Sequence, residues 1–276
     1  MSSPSARVLR VFVRLLPWLW LGVASGAIAQ ASPVVQLADL TWPELQQRIR
    51  AGTTTVLVPI GGTEQNGPHM VLGKHNRRVL ALSERIAVAL GDALVAPVIA
   101  YVPEGNVDPP TSHMRYPGTI TVPDATFEKV LEYAARSFRR HGFRDIVLLG
   151  DHGGYQRNLR AVALRMNREW AATPVRVHAI DEYFAATQTG YPQALRSRGY
   201  TDAEIGTHAG LADTALALAV DPGLVRIERL RTGTDVAGTE GVNGDPRRAS
   251  AELGRLGVDA IVTASTEAIR RTVARR

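Results

Sequence analysis

Two short stretches of this sequence gather side chains that can hold a cation and handle a proton. Residues 61–69 offer Glu64, Asn66 and His69, and the chain runs on to Lys74, His75 and Asn76. Residues 150–154 read Gly150, Asp151, His152, Gly153, Gly154. Carboxylates and imidazoles are the oxygen and nitrogen donors that bind zinc or manganese. There is no cysteine, so thiolate nucleophiles, redox pairs and sulfur-ligated metal sites are excluded. Any metal must be held by His, Asp, Glu or Asn.

For these residues to act together, the elements carrying them must end at one place. Residues 54–60 are a β-branched apolar run, which predicts a buried strand, and 94–99, 145–149 and 175–180 predict three more. Helical spacing covers 40–50, 77–90, 157–170 and 208–220, and a further helix is capped by Asp124 and ended by Gly142. Asp245-Pro246 predicts the cap and first turn of a C-terminal helical region. Strands alternating with helices imply an α/β fold, a three-layer sandwich around a mostly parallel sheet. In such sheets ligands bind at the carboxyl ends of the strands, where both candidate loops fall. The long polar, proline-rich stretch 103–123 is expected to be functional or a lid.

The N-terminus reads differently. Arg7, Arg10 and Arg14 precede an apolar run, followed by small residues at Ala27, Ala29 and Ala31. That pattern predicts a secretory signal peptide over 1–31, a single domain over 32–276, and a periplasmic or secreted location with no membrane anchor after cleavage. The whole chain has 32 basic and 26 acidic side chains, net +6; without the three leader arginines the net charge is +3. The remaining arginines are scattered and lack the aromatic interleaving of a nucleic-acid surface, so no nucleic-acid partner is expected.

Beyond composition, the order of several motifs resembles the creatininase family. Residues 64–75 are similar to its E-x-H-G-P-H-L-P-x-x-x-D signature, and 142–154 to its G-F-x-x-I-V-L-L strand followed by N-G-H-G-G-N. Tyr116-Pro117-Gly118-Thr119, the segment 208–214 and the segment 241–249 are similar to its F-P-G-T, H-A-G-x-x-E-T and G-x-x-G-D-P-x-x-A stretches. The resemblance implies a metal-dependent amidohydrolase that cleaves C–N bonds in small, often cyclic substrates, in a family whose members are often homo-oligomers. It implies Glu64 and His152 as ligands, a place beside the site for His69, and a catalytic-region role for His208. The departures are equally specific: Asn66 stands where the family has a ligand His, His75 where it has a bridging Asp, Gly154 where some members have a Glu, Asp213 for Glu and Asp151 for Asn.

Glu64, His75 and His152 then read as a His2Glu set on one ion, zinc before manganese, with a water position left open. The alternative for the trio is a hydrogen-bonded polar cluster. Bound water with its pKa lowered to about 7 would attack the amide, with His208 or Asp213 protonating the leaving nitrogen. His69 is either catalytic or a loop tether, and Asp151 either orients an imidazole or is itself a ligand. Gly153 and Gly154 allow close backbone approach, with their N–H groups available to an oxyanion. His113, His141 and His178 are expected to be structural or exposed. Two rival readings remain: a non-catalytic periplasmic protein binding a small molecule or metal, and a phosphoesterase, for which only Lys74 and Arg77 could form a clamp.

Overall fold

A computed structural model describes Met1, residues 34–232 and residues 241–274; the expected leader lies outside the described residues. The described residues from 34 onward form one compact unit. Its centre is a four-stranded, all-parallel sheet in the order β2-β1-β3-β4, made of β1 (Thr55–Ile60), β2 (Ala93–Val95), β3 (Asp145–Gly150) and β4 (Arg176–Ala179). Every residue of β1 and β3 is buried, as expected of strands covered on both faces.

Alternate residues of these strands face two separate cores. Leu57, Val147 and Leu149 pack with α2 (Lys74–Leu90), α5 (Asp181–Gln188), α6 (Gly190–Arg196), α8 (Leu211–Val220) and α10 (Ala251–Ala274). Val56, Val58, Ile146 and Leu148 pack with α3 (Asp124–His141) and α4 (Gln156–Glu169), and α1 (Trp42–Arg50) adds Leu45 and Ile49 at the margin. These two apolar layers make the three-layer sandwich. The described residues also include α7 (Asp202–Ile205) and α9 (Ile227–Thr232). None of their helices is long and apolar enough to cross a membrane.

Element boundaries differ from the sequence expectations where backbone chemistry intervenes. The strand expected over 94–99 pairs only through Val95, because Pro97 has no N–H for the ladder, and Ile99 rejoins β1 as a single bridge to Ile60. Asp124 does not cap α3. Pro123 holds that place, and Asp124 is the first helical residue, its carboxylate accepting from Arg157 (2.8 Å) and Asn158 (3.1 Å) of α4. The helix expected from residue 208 begins at Leu211, which leaves His208 in an extended bridge to Asn243.

Candidate metal centre

The carboxyl ends of β1 and β3 are joined by one buried hydroxyl. Tyr155 Oη accepts from the backbone N–H groups of Asp151 and His152, both at 3.1 Å. The same oxygen lies 2.8 Å from Ile60 O and 2.7 Å from Gly61 O, donating to one at a time. This bond brings the two candidate loops together. Above them opens a cavity of about 560 Å³, lined on one side by Lys74, His75, Arg78, Asp151, His152 and Asp213.

Glu64 lies at the centre of the cluster, with no solvent exposure. His75 Nε2 is 2.7 Å from its Oε1. Three further imidazoles approach it: His113 Nε2 at 3.2 Å and His152 Nε2 at 3.6 Å from Oε2, and His208 Nδ1 at 3.8 Å from Oε1. Oε2 nevertheless has no hydrogen-bond partner. Burial works against the charged form, but the hydrogen bond from His75 and the neighbouring His and Lys74 charges outweigh it and hold the carboxyl well below its ordinary range.

Glu104 was not among the residues expected from sequence, yet it lies in this cluster. It is buried, and neither of its oxygens has a hydrogen-bond partner. Burial and the nearby Glu64 charge push its pKa up to about 9. His152 sits between the two glutamates, with Nδ1 3.7 Å from Glu104 Oε2. Burial lowers its pKa to about 3, so the ring is neutral. Its lone pair is on Nδ1, the nitrogen that faces Glu104 and that Gly154 N–H reaches at 3.3 Å.

Two groups of described residues bring ligand atoms within 4.8 Å of one another: Glu64 with Glu104 and His152, and Glu64 with His113 and His208. Buried carboxylate oxygens without donors beside neutral imidazoles are the surroundings a divalent cation satisfies, so the donor chemistry fits a metal. Hydrogen bonding distinguishes the two groups. Gln65 Oε1 accepts from Gly67 N–H (2.9 Å), so its amide nitrogen faces and donates to His113 Nδ1 at 3.0 Å. The same amide nitrogen lies 3.0 Å from His208 Nε2, so one amide ties both imidazoles of the second group.

His75 belongs to neither group. Its Nδ1 lies 2.6 Å from Asp151 Oδ2 and its Nε2 2.7 Å from Glu64 Oε1, so both nitrogens are engaged by carboxylates. The structure thus places the expected third ligand as a strut between Asp151 and Glu64. Asp151 is saturated as well: Arg78 Nε (2.9 Å), Tyr183 Oη (2.9 Å) and His75 all reach it. It orients His75 and has no oxygen left for a metal.

Asn66 and His69 turn away from the cavity and brace the loop. Asn66 Nδ2 donates to Glu64 O (2.9 Å) and Val71 O (3.1 Å), and His69 Nε2 pairs with Thr214 Oγ1 on α8 at 2.9 Å. Gly154 N–H reaches His152 Nδ1 at 3.3 Å. His113, expected to be structural or exposed, proves to be part of the site. His178 pairs with Asp145 Oδ1 (3.0 Å), and neither lines the cavity.

His208 is held from a distance in sequence. Its N–H and C=O pair with Asn243, at 3.3 and 2.7 Å. Gly206, at φ +66, permits the approach, because a Cβ there would lie 2.0 Å from Asn243 O. The next residue, Ala209, is also left-handed at φ +54, and Asp213 Oδ2 holds its N–H at 3.0 Å. Asp213 is further paired with Lys74 and with Arg78 Nη1 (2.7 Å). Burial would raise its carboxyl, but Lys74 and Arg78 hold it well below its ordinary value, so it carries no proton to give.

Comparison with known proteins follows this geometry. The family model described as creatininase, creatinine amidohydrolase, matches residues 38–269. The chain is 29% identical over 204 residues to a creatinine amidohydrolase of Pseudomonas putida, covering 72% of this chain and 76% of that one. It is 30% identical over 226 residues to a mycofactocin precursor peptide peptidase of Mycolicibacterium smegmatis, covering 78% and 84%. Among solved structures, one described as "Creatininase Mn" superposes with a TM-score of 0.71 at 27% identity, over 87% of this chain and 99% of that one. A mutant creatininase described as "Zn-Zn type" does so with the same score.

Proposed function

Since this chain belongs to the creatininase family of metal-dependent hydrolases acting on C–N bonds, we propose that it is an amidohydrolase cleaving an amide bond in a small substrate, cyclic or open-chain. The observation carrying this reading is the buried Glu64 carboxylate, one oxygen without a hydrogen-bond partner, ringed by imidazoles beside a cavity of about 560 Å³. Glu64 and His152 are the residues that would hold a divalent ion, zinc or manganese. When bound, such an ion lowers the pKa of water and polarises the amide carbonyl.

The proton traffic falls to His208. Its Nε2 lies 3.0 Å from both the backbone oxygen and the side-chain nitrogen of Gln65, and its Nδ1 faces Glu64 at 3.8 Å. Burial holds the ring neutral, with a pKa of about 4. In the tautomer that donates to Gln65 O, Nδ1 has the lone pair to take the proton of the attacking water and pass it to the departing nitrogen. Asp213, fixed as a carboxylate between Lys74 and Arg78, supports this by holding the Ala209 turn beside His208.

The cavity falls within the range that takes drug-sized ligands, and Phe184, Tyr191, Ile205 and Leu216 give it an apolar wall. Substrates therefore extend beyond a single small ring, and short peptide-like amides belong in the panel beside creatinine. A phosphoesterase finds less support. Lys74 is paired with Asp213, and the exposed Arg77 with Asp221 at 3.0 Å, so neither forms a phosphate clamp. The leader pattern supports export to the periplasm or beyond, with a mature start near residue 30 or 32, which N-terminal sequencing checks. The decisive experiment pairs metal analysis of the purified chain with a panel of lactams, creatinine and short peptides. Bound metal with no turnover of any amide would leave a binding protein instead.

A further inference from the structure

On the metal-dependent reading of the site, we infer that Glu104 is itself a ligand of the ion, so that the donor set is Glu64, Glu104 and His152, two carboxylates and one imidazole from three separate strand-exit loops. Glu104 is almost fully buried, at 3% exposure, and neither oxygen has a hydrogen bond. A buried carboxylate in that condition is costly unless another group compensates it. Its neighbour Asp151 shows what compensation by the protein looks like, with an arginine, a tyrosine and a histidine on one carboxylate. The basic group approaching Glu104 is the His152 ring, at 3.7 Å.

The surroundings hold the side chain in this position. Glu104 N–H donates to Thr121 Oγ1 at 2.9 Å, and that hydroxyl donates on to Gly105 O at 3.0 Å, fixing the start of the proline-rich loop. Gly62, at φ +153, leaves the space into which the carboxylate projects: a Cβ there would lie 2.7 Å from Glu104 Oε1. Gly154 makes the matching space for His152, with a Cβ only 3.1 Å from two ring atoms. An ion binding here would displace the Glu104 proton, and two carboxylates with one neutral nitrogen would then balance a dication. A set richer in oxygen than His2Glu also accommodates manganese.

The test uses chelator-stripped mature protein titrated with zinc against a competing chromophoric chelator, comparing wild type, Glu104→Gln, Glu104→Met and Glu64→Gln. Melting of the metal-free proteins, followed by circular dichroism, separates misfolding from ligand loss. Removing a hydrogen-bond partner of a ligand costs roughly 10–100-fold in metal affinity, so a true ligand must exceed that. Zinc binding is expected to weaken by more than about 100-fold in both Glu104 variants, with the zinc-induced rise in Tm lost and the metal-free melt preserved. If Glu104→Gln keeps zinc within about 100-fold of wild type while Glu64→Gln loses it, Glu104 is no ligand and the metal-dependent reading stands. If wild type takes up neither zinc nor manganese, that reading falls, and this inference with it.

Discussion

Asp151 and Asp213 reach the edge of the cavity with cations of the chain already on them, Arg78 on both and Lys74 on the second. Glu64 and Glu104 are buried a few ångströms away, and three of their four oxygens have no hydrogen-bond partner. One carboxylate pair is complete within the polypeptide, and the other is complete only with something bound. The difference separates a scaffold from a site. The saturated pair fixes His75 and the Ala209 turn, and the unsaturated pair meets the imidazoles that can share a metal.

Neutralising the unsaturated side should have the largest effect on function. Glu64→Gln keeps the shape of the side chain and removes its charge; activity is expected to fall by more than about 100-fold and bound metal to disappear. Metal analysis, turnover and circular dichroism on one preparation check this. Retention of metal and rate would dissolve the contrast between the pairs.

Breaking the saturated side should instead cost stability. Arg78→Met leaves Asp151 buried without its guanidinium and Asp213 short of one partner, and a broken buried ion pair costs about 3–5 kcal/mol. Urea unfolding of the metal-free protein measures it. A loss within about 0.5 kcal/mol, the range of an ordinary surface change, would mean that the pair is no scaffold.

The pH dependence of the metal-free protein should show a limb from each kind of group. Burial lowers His152 to about 3 and His69, His178 and His208 to about 4. The unfolded chain takes up those protons near pH 6.5 and the folded one does not, so stability falls as pH drops from about 6.5 to about 4. Glu104 acts oppositely. Its folded pKa near 9 lies above the unfolded value, so the stability it contributes at low pH is lost as pH rises from about 4.5 towards 9. Urea midpoints across pH should show both limbs in wild type and a flattened alkaline limb in Glu104→Gln. The smallest effect belongs outside both pairs. His141 is exposed at the end of α3, and His141→Ala should leave metal, rate and stability unchanged within about 0.5 kcal/mol.

Much of the frame could be read in one dimension. The apolar runs of β1, β3 and β4 and the helices between them are local patterns, and parallel strands joined by helices bring their exit loops to one edge. Glu64 and His152, which sit on those loops, were legible for that reason. The helices between residues 181 and 205, which supply much of the cavity wall, were not, because α5 to α7 are short. For Glu104 the available signal was an acid inside a proline-rich loop long enough to be functional.

The sequence alone determined which donors exist, that sulfur is not among them, and which strands present Glu64 and His152 at a common edge. Only the tertiary structure decided what each donor does. His75, in the first turn of α2, and His152, after β3, are the same side chain, yet one has both nitrogens engaged by carboxylates and the other stands between two under-satisfied glutamates. An imidazole has two nitrogens, and its role is set by what occupies them. For His75 one of those partners is Asp151, 76 residues away, and for His208 the fixing residues include Gln65, 143 residues away. Such contacts form only when the sheet and both helical layers have closed, so no local pattern encodes them.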